Sequence, residues 1–120
     1  MSFWYLGTVY SKHAGGIEAA FVEASQQAAL LVRAGIPVFS PIAHTHPIAV
    51  HGDLDPMDHS IWLTADVAFM EAAVGMIVCR MDGWEASYGI RHEIEAFTRM
   101  GKPIAFMTPG CVPELPEGVV

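Results

Sequence analysis

The run Gly83-Trp84-Glu85-Ala86-Ser87-Tyr88-Gly89-Ile90-Arg91-His92-Glu93 places small residues, an aromatic side chain and a carboxylate close together. It follows an apolar stretch, Val74 to Cys79, that reads as a buried strand. It leads into a helical segment that ends at Met100, before Gly101. In open α/β sheets, ligands bind at such strand ends. Ser87 and Gly89 would offer backbone N–H groups at the positive end of the helix. Glu93, one turn further on, is a candidate nucleophile or general base. The plainer alternative is a solvated helical glutamate, flanked by His92 and Glu95.

The surrounding elements must hold these groups in place. Phe3 to Gly7 reads as a buried first strand. Ile17 to Ala34 is helical, with Ile17, Ala20, Phe21, Ala24, Ala28, Leu31 and Val32 on one face. Gly35 stops this helix. Ile36 to Ser40 is a short second strand. Pro41 to Asp55 lacks periodicity and reads as a long functional loop. Asp55-Pro56 opens a helix to about Ala73, with Asp as its cap. Lys102 to Met107 is the last strand, and Thr108 to Val120 an extended tail. Strands alternating with helices predict parallel βαβ units. The expectation is one domain over residues 1–120, a flavodoxin-like three-layer α/β sandwich with a parallel sheet of four to five strands.

Composition narrows the function. Hydrophobic residues make up 52% and charged residues only 16%, more apolar than a small monomer needs, so a homo-oligomer is expected. The net charge of −7 argues against a nucleic-acid polymer as partner. Cys79 and Cys111 have neither zinc-site nor disulfide-framework spacing. No apolar run approaches the roughly 20 residues of a membrane span, and the start carries no leader pattern. A soluble cytoplasmic protein is expected.

Three motifs resemble the nucleoside 2-deoxyribosyltransferase-like superfamily, spanning about residues 3 to 107. The first is Tyr5-Leu-Gly-Thr-Val-Tyr10, similar to the family's opening strand. The second is Leu63-Thr-Ala-Asp66-Val-Ala-Phe-Met-Glu-Ala-Ala, similar to its Asp-bearing helix before the third strand. The third is Ser87-x-Gly89-x-x-x-Glu93, followed by Gly101-Lys-Pro103. Ser87 stands where the deoxyribosyltransferases usually carry an Asp, and resembles the deoxynucleoside 5′-monophosphate N-hydrolases. Val74 stands where a second Asp is usual. The Trp84 loop and the histidine-rich segment look more like uncharacterised bacterial and phage members. The resemblance implies the fold, a catalytic Glu93, and a neighbouring subunit that helps complete each site.

Cleaving an N-glycosidic bond passes through an oxocarbenium-like state that a carboxylate can trap covalently. Glu93 is the expected nucleophile. Asp66 would hold or protonate the leaving base, or else be a polar helix position. Tyr5 would orient a carboxylate, or simply fill the core. Trp84 could stack on a base or cover apolar core. Ser87 and Gly89 would contact sugar or phosphate, or form an ordinary helix start, and Gly7 at the same strand end joins the candidate contacts. His44-x-His46, His51, Asp53, Asp55, Asp58 and His59 are ligand types for metals, but beyond the His-x-His pair they lack a recognised spacing. No metal and no cofactor are assigned. The expected function is cleavage or transfer at the N-glycosidic bond of a 2′-deoxynucleoside or its 5′-monophosphate. The alternative is a non-catalytic nucleoside- or nucleotide-binding module. A metal-dependent enzyme centred on His44 to His59 is a third.

Overall fold

The computed structural model describes residues 2–116; the last part of the expected tail, 117–120, lies outside the described residues. The order of elements is β1 (Trp4–Gly7), α1 (Ile17–Arg33), β2 (Val38–Phe39), α2 (Pro41–Gly52), α3 (His59–Ala72), β3 (Gly75–Cys79), α4 (Tyr88–Arg99) and β4 (Ile104–Met107), with a 3₁₀ turn at Trp84–Ala86. The strands form one parallel sheet in the order β2-β1-β3-β4. This is the flavodoxin-like α/β sandwich expected from the alternation, with four strands.

The inner strands explain the core. All residues of β1 and β3 are buried. Such runs suit a sheet covered on both faces. The chain leaves β1 toward one sheet edge through α1, and leaves β3 toward the other through α4. Right-handed crossovers then place α1 and α4 on opposite faces. The switch point lies between β1 and β3, where Gly7 pairs with Val78. A crevice opens there, beyond the carboxyl ends of the strands.

α1 buries a narrower stripe than its periodicity predicts: Ala20, Ala24, Gln27 and Leu31, while Val32 is exposed. Gln27 is polar yet buried because its Oε1 accepts the Gly110 N–H at 2.9 Å. Gly35 follows the helix with φ 81°, the left-handed conformation that suits glycine at a helix end.

The expected loop from Pro41 to Asp55 is instead largely helical. Ser40 caps α2 by accepting the Ala43 N–H at 3.1 Å, and Pro41 takes the first turn. Pro47 sits inside the helix and removes one ladder bond. The buried face is Pro41, Thr45, His46 and Ala49, which carries the helical period without large apolar side chains. The start of α3 also differs. Its cap is Asp58, which accepts the Ser60 N–H, whereas Asp55 accepts the Met57 N–H in the turn before it.

Cys79 is buried and Cys111 exposed, and both are free thiols. Among the described residues, no helix is long and apolar enough to cross a membrane.

Candidate active site

α4 is the element that makes the site. Its buried stripe is Ile90, Glu93 and Phe97, so a carboxylate occupies the middle of an apolar row. Ser87 caps the helix by accepting the Ile90 N–H at 3.3 Å. A buried carboxyl without a partner is costly. Here the Tyr5 hydroxyl donates to Glu93 Oε2 at 2.5 Å. The Tyr5 ring is wedged between Phe97 and Phe39, at centroid distances of 5.4 and 5.9 Å. Burial raises the Tyr5 pKa well above its ordinary value, so it keeps its proton and stays a donor.

Gly7 lies beneath this pair. A Cβ there would stand 3.4 Å from Glu93 Oε1 and 2.4 Å from Met76 Cε. Its place among the candidate contacts is therefore one of clearance: the absent side chain leaves room for the carboxylate.

Burial pushes the Glu93 carboxyl up to about 8; the Tyr5 hydrogen bond opposes this and the nearby Asp66 adds to it. Burial alone pushes Asp66 up to about 6. Asp66 faces inward from α3, and its Oδ1 is buried without a hydrogen-bond partner. The Thr8 hydroxyl is in the same condition. Unpaired buried polar atoms are uncommon, and in a cleft they mark where a ligand can bind.

Asp66, Ser87, Gly89 and Glu93 line one cleft, together with Thr8, Tyr10 and Ser11 from the loop after β1. Pro41, Ile42, Thr45 and Ala49 of α2 form a second wall. Pro56, His59, Trp62 and Leu63 form a third. The cleft opens to solvent at its mouth. Its walls are largely apolar, with polar groups converging at the α4 end. Tyr5 joins the constellation from below, through Glu93.

Trp84 is not among the residues lining this cleft. Its ring packs on Phe106 at 5.8 Å, and the Arg80 guanidinium lies over both rings. The 3₁₀ turn that carries it points it to the β4 side, where it covers apolar surface.

The histidines of α2 do not act together. His44 packs against the Phe39 and Phe69 rings, whereas His46 bonds to Tyr10 and Glu18. Among the described residues, no three His, Cys, Asp or Glu side chains converge as a metal site.

The lining residues Thr8, Tyr10, Ser11 and Thr45 were not anticipated from the sequence, whereas His59 was among the histidines singled out there. The loop after a first parallel strand is a place to look for them. The Ser40-Pro41 cap was a signal for the helix that brings Thr45.

A strand-end cleft holding two buried carboxyls on a flavodoxin-like sheet defines the class of molecule structurally. The chain belongs to the family described as Domain of unknown function (DUF1937), whose model matches residues 3–109. Comparison with curated proteins finds no match.

Proposed function

We propose that the protein cleaves or transfers the N-glycosidic bond of a 2′-deoxynucleoside, with Glu93 as nucleophile and Asp66 as proton donor to the leaving base. The observation that carries this reading is the buried Tyr5–Glu93 hydrogen bond facing the same cleft as an unpartnered Asp66. The two carboxyls titrate near 8 and 6. Between those values the pair holds one proton, which rests mainly on Glu93, the more deeply buried of the two. The reaction runs from the minor form in which that proton sits on Asp66 and Glu93 is ionised. Glu93 attacks C1′ as the C1′–N bond breaks, and Asp66 supplies the proton that the base takes away. Tyr5 steadies the ionised form of Glu93. The resemblance of the Ser87-x-Gly89-x-x-x-Glu93 motif to the deoxyribosyltransferase-like enzymes supports the same assignment.

The lining carries two acids and no Lys or Arg among the described residues. This favours the neutral nucleoside over its 5′-monophosphate, since only the α4 N-terminus would face a phosphate. A binding module is the second reading, favoured by Ser87 and Val74 standing where acids are usual. Glu93 facing the same cleft as Ser87 and Asp66 weighs toward catalysis.

The test is incubation with a panel of deoxynucleosides and their monophosphates, following free base. We expect release from at least one nucleoside, faster than from its monophosphate. Glu93→Gln should lower it by about a thousandfold or more while keeping binding. Binding without release by the wild type would establish the binding module instead.

We also propose a homo-oligomer formed through the outward face of α3. The free thiols of Cys79 and Cys111 suit a reducing compartment such as the cytoplasm.

A further inference from the structure

The cleft wall contains a hydrogen-bonded chain that the glycosidic reading above does not use. The Tyr10 hydroxyl, in the loop after β1, lies 2.6 Å from His46 Nδ1 on α2. His46 Nε2 lies 2.8 Å from Glu18 Oε2 in the first turn of α1. The loop after β1 and the start of α1 are thus joined to the distant α2 through one imidazole. The His46 side chain is only 4% exposed, whereas that of Glu18 is 76% exposed. The chain therefore runs from the cleft, through a buried ring, to solvent.

Its chemistry is directional. An ionised carboxylate only accepts, so His46 Nε2 carries a proton toward Glu18. In neutral imidazole the other nitrogen, Nδ1, is then bare and accepts the Tyr10 O–H. A carboxylate fixing the tautomer of a histidine that withdraws a hydroxyl proton is the logic of nucleophile-activating triads. The ring cannot turn freely. Phe21 stacks on it at 4.8 Å with an interplanar angle of 24°, and Tyr10 meets it edge-on at 5.7 Å. Burial and the Glu18 charge raise the Tyr10 pKa, so the hydroxyl does not ionise in isolation. It passes a proton on only as it receives one.

We propose that Tyr10, His46 and Glu18 form a proton relay that deprotonates the acceptor, water or a second base, as that acceptor displaces the deoxyribosyl group from Glu93. This rests on the glycosidic reading above. With water as acceptor, its oxygen bonds to C1′ and the C1′–Oε bond to Glu93 breaks. Glu93 leaves with the electron pair as a carboxylate. The water proton passes to the Tyr10 oxygen, and the Tyr10 proton passes to His46 Nδ1. The imidazolium is held by Glu18 and returns its proton to solvent. Asp66 has no hydrogen-bond partner at Oδ1 through which to hand a proton on, whereas Tyr10 has one. Tyr10 is the catalytic member of the relay; His46 and Glu18 position and discharge it.

The experiment compares wild type, Tyr10→Phe, His46→Asn and Glu18→Gln on a deoxynucleoside that the wild type cleaves. Free base is followed through the first turnover and the steady state, and intact protein mass is recorded. Tyr10→Phe and His46→Asn should retain the first-turnover release of base. Their steady-state rate should fall about a hundredfold, and protein bearing one deoxyribosyl group should accumulate. Sodium azide should restore turnover, because an anionic nucleophile attacks without losing a proton. Glu18→Gln should show the same pattern more weakly. Tyr10→Phe removes a single oxygen, so it serves if His46→Asn does not fold. Steady-state rates equal to wild type, or losses without accumulated intermediate or azide rescue, would overturn the relay while leaving Glu93 as nucleophile. No base release by the wild type would overturn the glycosidic reading itself, and the relay with it.

Discussion

Glu93 occupies a position where Ile90 and Phe97 would ordinarily be joined by a third apolar side chain. Its consequences appear in both rate and stability. If one carboxyl must be ionised and the other protonated, activity requires the pair to hold a single proton. Below about 6 both hold theirs and no nucleophile exists; above about 8 both are ionised and no acid remains. The expected kcat/KM profile is a bell with limbs near those values. Asp66→Asn should remove the alkaline limb, leaving a slower rate that rises to a plateau; kcat/KM across pH 5–9 checks both. Stability moves the other way along the same axis. The Glu93 carboxyl is raised from 4.5 to about 8, so between those values the unfolded chain ionises and the folded chain does not. Stability is therefore fully present below the lower value and is lost as pH rises toward the upper, by up to about 1.4 kcal/mol per pH unit. The buried Asp66 adds a smaller loss of the same sign between 3.8 and about 6. Glu93→Gln removes the ionisation and keeps an acceptor for Tyr5. Urea denaturation should find this variant more stable than wild type at pH 8, and the difference should shrink at pH 5.

The elements hold these groups through contacts that vary in how openly the sequence displays them. Lys102, in the Gly101-Lys-Pro103 lead-in to β4, donates its Nζ to the Met70 carbonyl at 3.0 Å and also to the Glu71 carbonyl. These are carbonyls in the last turn of α3, where a cation complements the helix dipole. Lys102→Met should lower stability by about 1–2 kcal/mol, measured as a drop in denaturation midpoint, and should loosen the helix that carries Asp66. β1, β3 and α4 were legible because the two strands are unbroken apolar runs, Gly101 stops the helix and Ser87 is a favoured cap. Glu93 was legible from its spacing beyond Ser87 and Gly89. Tyr5 and Asp66 entered through topology and the resemblance; their meeting with Glu93 depends on packing that no local pattern records. α2 was illegible because its buried face is Pro41, Thr45, His46 and Ala49, which gives no hydrophobic period. Missing that helix hid Thr45 and the His46 bond to Tyr10. Trp84 had the right type and the right loop, but Phe106 and Arg80 decide where its ring lies.

At the scale of the whole molecule, α3 is the α-helix with least cover. Of its residues only Asp66 and Met70 are buried. Its two large aromatic side chains turn inward. Trp62 lines the cleft and donates Nε1–H to the Asp55 carbonyl at 2.9 Å, and Phe69 stacks on Phe39 at 4.1 Å. The outward face is instead Ile61, Thr64, Ala65, Val67 and Ala68, with Ile61 39% and Val67 46% exposed. It is an apolar strip of small and branched side chains that carries no charge until Glu71. Contiguous exposed apolar surface of this kind marks interfaces, and a two-fold axis would pack the strip of one copy on that of its partner. Because His59, Trp62 and Leu63 line the cleft from the same helix, such a contact would brace one wall of the site. Sedimentation equilibrium at micromolar concentration should therefore give a mass of twice 13.0 kDa. Val67→Lys should shift the protein to monomer, by placing a charge in the middle of the strip. A wild type that sediments as a monomer, or a Val67→Lys dimer, would show that the strip has no such role. If the dimer forms as expected, Val67→Lys should also weaken nucleoside binding, because the helix that carries Trp62 and Asp66 would lose its outer support.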